Sequence, residues 1–112
     1  MKLSQENLGN TCIVHLKGEM TIDHVDRFQQ VVDERLGQQT RDFVLDLAEV
    51  DFVDSKALEA MLNLQESCGE RLGQMRLVGV SGNVEQILKI TRLTAQFERH
   101  ASVDEAIKSL RI

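Results

Sequence analysis

The chain has 112 residues, 42% hydrophobic and 28% charged, and its 13 Lys and Arg against 18 Asp and Glu give a formal net charge of −5. This size predicts one domain, residues 1–112, with room for a hydrophobic core. The negative charge, without a basic cluster, argues against binding to nucleic acid or an anionic membrane, and no apolar run suits a signal peptide or membrane insertion, so a cytoplasmic protein is expected.

The first third of the chain predicts a hairpin followed by a helix. Residues 2–7 and 11–17 are predicted as strands, the second from its alternating apolar residues, and Gly9-Asn10 between them is a turn signal. Thr21 is predicted as the N-cap of the helix, which Gly37 should end. The apolar residues of this helix recur at helical spacing: Val25, Phe28, Val32 and Leu36.

The middle of the chain changes from a strand pattern to a helix pattern. Its apolar run, Phe43–Leu47, is typical of a strand buried on both faces. A short acidic connection is expected at 49–54, and helix-period apolar residues follow it. Asp54 is therefore predicted as an N-cap and Ser55 as a first-turn residue, in a helix that runs to about Arg71.

The last third predicts two more strands and two more helices. Met75–Val80 and Ala95–Glu98 are predicted as strands, and Asn83 as the N-cap of the helix between them. The capping-box sequence Ser102–Glu105 opens a terminal helix. Helices that alternate with buried strands indicate an α/β fold, a mixed sheet of about five strands covered by about four helices.

Ser55 is the candidate functional residue. A helix N-terminus carries partial positive charge and unpaired N–H groups, so it can hold a phosphate. The alternative is structural, since an Asp-Ser pair at the start of a helix is most often only a cap.

The segment 43–62 resembles the signature of the STAS domain, the fold of bacterial anti-sigma-factor antagonists. Members show a buried strand, an acidic turn and then Asp-Ser-x-Gly-Leu at the start of a helix. Asp54, Ser55 and Leu58 match this pattern, whereas Ala57 stands at the usual Gly position. The resemblance extends over most of the chain and implies a STAS-like fold.

The resemblance also implies a function. Ser55 would be phosphorylated by a partner serine kinase of the GHKL type, which acts as an anti-sigma-like factor, and a PP2C-like phosphatase would reset it. The chain would then be a regulator without enzyme activity, cofactor or metal. The residues implied in partner binding are Asp54, Ser55, Lys56, Asp23 and His24. Lys56 would either pair with the phosphate or remain in water.

Two other functions stay open at this stage. Lys56 and Ala57 depart from the pattern beside the serine, which fits a constitutive STAS subunit bound to the ATPase of a lipid-transport ABC complex. A small hydrolase with Ser55 as nucleophile and a histidine base is disfavoured, since the Gly-x-Ser-x-Gly motif is missing.

Other reactive side chains have structural explanations. Asp51 and Asp54 lack the Asp-x-Asp spacing of aspartyl-phosphate phosphatases, and the histidines are scattered, so neither a metal site nor catalysis by these acids is expected. Cys12 and Cys68 are expected to be reduced, buried thiols.

Overall fold

The structure, a computed structural model, describes residues 1–80 and 82–110. Its elements in chain order are β1 (Lys2–Leu8), β2 (Thr11–Met20), α1 (Ile22–Leu36), β3 (Asp42–Val53), α2 (Ser55–Glu70), β4 (Met75–Val78), α3 (Gly82–Ile90), a 3-10 turn (Thr94–Gln96), β5 (Glu98–His100) and α4 (Val103–Leu110). No helix in these two ranges is both long and apolar enough to cross a membrane.

The five strands form one sheet in the order β1-β2-β3-β4-β5. β1 and β2 are antiparallel and joined at Leu8 and Thr11 by the predicted two-residue turn. The other neighbours are parallel, and a helix makes each parallel connection, as crossovers require. The predicted mixed α/β sheet with four helices is therefore confirmed.

The two faces of the sheet are covered unequally. Successive residues of a strand point to opposite faces, so Phe43 and Leu45 of β3 face α1, α2 and α3, in the main core. Val44 faces the other way and packs in a smaller cluster with Ala106 of α4. Phe43, Val44 and Leu45 are completely buried, which confirms that this strand is covered on both faces.

The acidic segment after this apolar run is strand rather than connection, which corrects the prediction. β3 continues to Val53 and pairs with β2 as far as Met20, with two register shifts. The carboxylates do not prevent this because strand pairing uses only backbone N–H and C=O groups, and the side chains of Glu49 and Asp51 are exposed. Because β3 pairs with β2 over this length, α2 begins at the edge of the sheet formed by the carboxyl ends of the strands.

Two smaller predictions were also misplaced. A 3-10 turn occupies Thr94–Gln96, so the last strand begins only at Glu98. Helix α3 begins at Gly82, so Asn83 lies inside it rather than at its N-cap. At the start of α4 the Ser102 half of the predicted capping box is present, with the N–H of Glu105 donating to the Ser102 hydroxyl at 3.2 Å.

Both cysteines are buried free thiols, as predicted. Burial raises the pKa of Cys12 to about 11 and that of Cys68 to about 12. The thiolate is the reactive form of cysteine, so both side chains are inert at neutral pH.

His15 lies on β2 between two carboxylates. Its Nδ1 is 2.7 Å from an oxygen of Asp46, and its Nε2 is 2.7 Å from an oxygen of Glu6. A neutral imidazole carries one N–H, so both contacts are hydrogen bonds only when the ring is protonated. Partial burial lowers the pKa of His15, but the hydrogen bonds to Asp46 and Glu6 outweigh it and raise the pKa above 6.5.

We expect the stability that these contacts give to depend on pH. Since the folded-state pKa of His15 is raised, the contribution is complete below pH 6.5 and is lost as the pH rises through the folded-state pKa. Urea unfolding of the native chain and of His15→Gln, each at pH 6 and pH 8, measures this contribution as the difference in unfolding free energy between the two chains. The difference should stay within about 1 kcal/mol because Glu6 is exposed. A difference that grows with pH contradicts the prediction.

Candidate functional site

Two helices begin side by side at the carboxyl ends of β2 and β3. The last residues of these parallel strands, Met20 and Val53, are ladder partners. Two residues after each of them, α1 begins at Ile22 and α2 begins at Ser55. Neighbouring parallel strands end at the same edge of a sheet, so two positive helix N-termini lie together there.

Asp54 caps both of these helices. One carboxylate oxygen accepts from the N–H of Ala57 at 2.9 Å, the N-cap bond of α2. The other accepts from the N–H of Ile22 at 2.8 Å, in the first turn of α1. We call Asp54 with these two bonds the Asp54 clasp. Its own N–H donates to the carbonyl of Met20 at 3.1 Å, which ties the clasp to the end of β2.

Thr21 stands at the N-cap of α1, as predicted, but does not cap it through its side chain. Its hydroxyl oxygen instead lies 3.3 Å from Nδ1 of His24. The Asp54 clasp supplies an acceptor for α1 in its place. Sequence analysis missed this contact because the partners are 32 residues apart and no local pattern joins them.

Ser55 is exposed at the first position of α2. The first N–H groups of a helix have no partner within it, and Asp54 takes that of Ala57. The N–H groups of Ser55 and Lys56 remain at the helix end, where an anion on the serine oxygen would meet them.

The remaining predicted site residues lie at the same edge. Lys56 is exposed, and its Nζ lies 3.6 Å from a carboxylate oxygen of Glu59 one turn along α2. Asp23 is exposed and His24 half-buried in the first turn of α1. The structure thus brings Asp23, His24, Asp54, Ser55 and Lys56 to one edge of the sheet.

Two apolar side chains near Ser55 were not predicted as part of the site. Ile22 is 58% exposed and Phe52 is 41% exposed. Ile22 is the first residue of α1 and lies at the edge of the sheet where the two helices begin. No apolar pattern singled out Phe52 in the sequence, because it stands alone within the acidic segment 49–54.

The acidic and histidine side chains around Ser55 were compared with the arrangements that metal sites and serine nucleophiles need. Within residues 1–80 and 82–110, no three His, Cys, Asp or Glu side chains are grouped so as to hold a metal ion. Both ring nitrogens of His15 are engaged by carboxylates, and among the described residues no hydrogen bond joins Ser55 to a histidine.

Comparisons with known proteins find similarity in sequence and in fold. A sequence model of the STAS domain matches residues 2–106. A Thermotoga maritima protein, named provisionally as an anti-sigma factor antagonist, is 28% identical over 94 residues, 83% of each chain. In shape, the chain is similar to an anti-sigma factor antagonist from Mycobacterium paratuberculosis (TM-score 0.85, 20% identity, 99% of this chain and 94% of that one). It is also similar to the Bacillus cell fate determinant SpoIIAA in its phosphorylated form (TM-score 0.76, 17% identity, 96% and 98%).

Proposed function

This chain belongs to the STAS domain family, and on that premise we propose that it is a protein-binding regulator of the anti-sigma-factor-antagonist type, switched by phosphorylation of Ser55. A GHKL-type serine kinase, which is also its anti-sigma-like partner, adds the phosphate, and a PP2C-like phosphatase removes it. The exposed hydroxyl of Ser55 at the start of α2 carries the proposal. The solved unphosphorylated and phosphorylated forms of SpoIIAA, which share the fold, support it.

We expect the kinase to supply the base for this transfer. The Ser55 oxygen forms a bond to the γ-phosphorus of ATP, the bond from that phosphorus to the β,γ-bridging oxygen breaks, and ADP leaves. The hydroxyl proton has to pass to a base. Both oxygens of the neighbouring Asp54 already accept N–H groups, from Ile22 and Ala57, so a side chain of the kinase is the better acceptor.

The phosphate would change the surface more than the fold. It brings about −1.5 to −2 charges and three strong acceptor oxygens. The N–H groups at the start of α2 offset part of this charge, and Lys56 can exchange its exposed contact with Glu59 for the phosphate. A partner surface complementary to the neutral serine would be repelled by the remaining negative charge and obstructed by the volume of the phosphate.

The test is phosphorylation by a purified GHKL-type serine kinase from the same organism. With ATP, the unaltered chain should gain one phosphate, which tandem mass spectrometry places on Ser55. Ser4→Ala is the matched control, because Ser4 is exposed on the distant strand β1. This variant should be phosphorylated normally and Ser55→Ala not at all. A phosphate on another residue, or none, refutes the proposal.

The second candidate function predicts a different partner. A constitutive subunit of a lipid-transport ABC complex would bind the ATPase of that complex whatever stands at position 55. Ala57 supports this second function, because it departs from the family pattern next to the serine and is fully buried there. Binding of the ATPase that is equal for the unaltered chain and Ser55→Asp would select this function.

A further inference from the structure

We propose that a cavity between the start of β1, the second half of β2 and α1 binds an organic anion with an apolar body, such as an aryl sulfonate or a medium-chain carboxylate. The cavity, which we call the β1 cavity, measures about 450 Å³, a usual size for a small-molecule site. Its charged lining consists of Lys2, Lys17, Arg27 and Glu49. The inference is independent of phosphorylation at Ser55.

The floor of the β1 cavity is apolar. Leu3 of β1 and Leu16 of β2 are ladder partners, and both line the cavity together with Met1. Leu16 is buried in the main core, whereas Leu3 and Met1 are half-buried and pack against that core from outside. An apolar group that enters the cavity would leave water for contact with these side chains, which is favourable by the hydrophobic effect.

The rim of the β1 cavity is positively charged, although the whole chain carries a net charge of −5. Lys2 and Arg27 are exposed and form no ion pair within the described part of the chain. Nζ of Lys17 lies 4.0 Å from a carboxylate oxygen of Glu49, and both side chains are more than half exposed. Such an exposed pair is weak, so an anion in the cavity can compete with Glu49 for this lysine.

The neighbouring acids do not cancel this charge inside the cavity. His15 lines the cavity, and the carboxylates of Asp46 and Glu6 contact its two ring nitrogens at 2.7 Å each. Neither of these two acids is a lining residue, so Glu49 is the carboxylate that a ligand would meet there.

The apolar floor and the positive rim together determine the class of ligand. An inorganic anion would gain nothing from the leucines of the floor, and an apolar cation would be repelled by the rim. An anion with an apolar body satisfies both parts of the cavity.

The experiment uses anilinonaphthalene sulfonate, an aryl sulfonate that fluoresces when it binds apolar surface. The chain contains no Trp or Tyr, so the emission of this probe is observed without energy transfer from those residues. We expect saturable binding of one probe molecule to each folded chain. Decanoate should displace the probe, whereas decylamine and inorganic phosphate should not.

Substitutions of the rim should change the affinity in opposite directions. Lys2→Gln and Arg27→Gln should each weaken probe binding by about 2- to 5-fold, the range expected for exposed charge contacts. Glu49→Gln should instead strengthen it by about 2-fold, because it removes the one repelling carboxylate and releases Lys17. Lys89→Gln is the matched control, since Lys89 is an exposed lysine of α3 that does not line the cavity, and it should bind like the unaltered chain.

Three results would overturn the inference. The first is the absence of saturable binding to the unaltered chain. The second is equal binding by Arg27→Gln, Glu49→Gln and Lys89→Gln, which would place the probe elsewhere. The third is displacement by decylamine or phosphate as effective as that by decanoate, which would contradict the ligand class. Thermal unfolding verifies that each variant is folded. No kinase is present, so the outcome for Ser55 is judged separately.

Discussion

Replacing Gly73 with alanine is expected to destabilise the protein by about 3 kcal/mol, the upper part of the usual range for overpacking. An added Cβ would lie 2.0 Å from the carbonyl oxygen of Arg41 and 2.7 Å from its carbonyl carbon. The backbone around this position is held on both sides. The N–H of Gly73 donates to Cys68 at 2.7 Å, and the carbonyl of Gln74 accepts from Phe43 at 3.0 Å. Relief of the clash therefore breaks the end of α2 or the pairing of β3 with β4.

Gly69→Ala is the matched control for this prediction, and urea unfolding measures both. Gly69 lies four residues earlier, inside α2, and an added Cβ there meets nothing within 4 Å. Alanine in a helix is more stable than glycine by about 0.5–1 kcal/mol, so this variant should gain stability. Equal effects of the two substitutions would show that the close approach of Arg41 does not decide the stability at Gly73.

The features that sequence could predict follow from local chemistry. Strand β3, helix α2 and the N-cap at Asp54 each form within a few residues of the sequence pattern that predicts them. The start of α2 is accordingly placed to the residue, with Asp54 as N-cap and Ser55 as first helical residue. Ser55 is the centre of the proposed site, and its position depends on this local signal alone.

The features that sequence missed depend on contacts between distant segments or on unusual residues. The second bond of Asp54 joins it to Ile22 across 32 residues. The left-handed positions after three helices, where glycine is the common signal, hold Gln39, Leu72 and Arg92 instead. Gly37 ends α1 in an ordinary helical conformation. The left-handed residues after these helices therefore carry no glycine signal in the sequence.

Phosphorylation of Ser55 is expected to weaken kinase binding by about 5- to 150-fold, the usual range of a coupling of about 1–3 kcal/mol. The physical reason is the new dianion beside Asp54 in a face that already carries exposed acids such as Asp23 and Asp51. Ser55→Asp adds a single charge and less bulk, so its effect should fall between those of the unaltered and phosphorylated chains. Calorimetric titration of the GHKL-type serine kinase that phosphorylates Ser55 with each chain gives the dissociation constants.

Salt and a neutral variant separate charge from bulk in this prediction. Raising the ionic strength from 0.1 to 1 M shortens the Debye length from about 10 to about 3 Å, so the part of the loss that comes from repulsion should shrink. The part that comes from the volume of the phosphate should remain. Ser55→Ala changes neither charge nor bulk appreciably and should bind like the unaltered chain. If this variant binds as weakly as the phosphorylated chain, the hydroxyl itself is a required contact, and the anion is not what the partner reads.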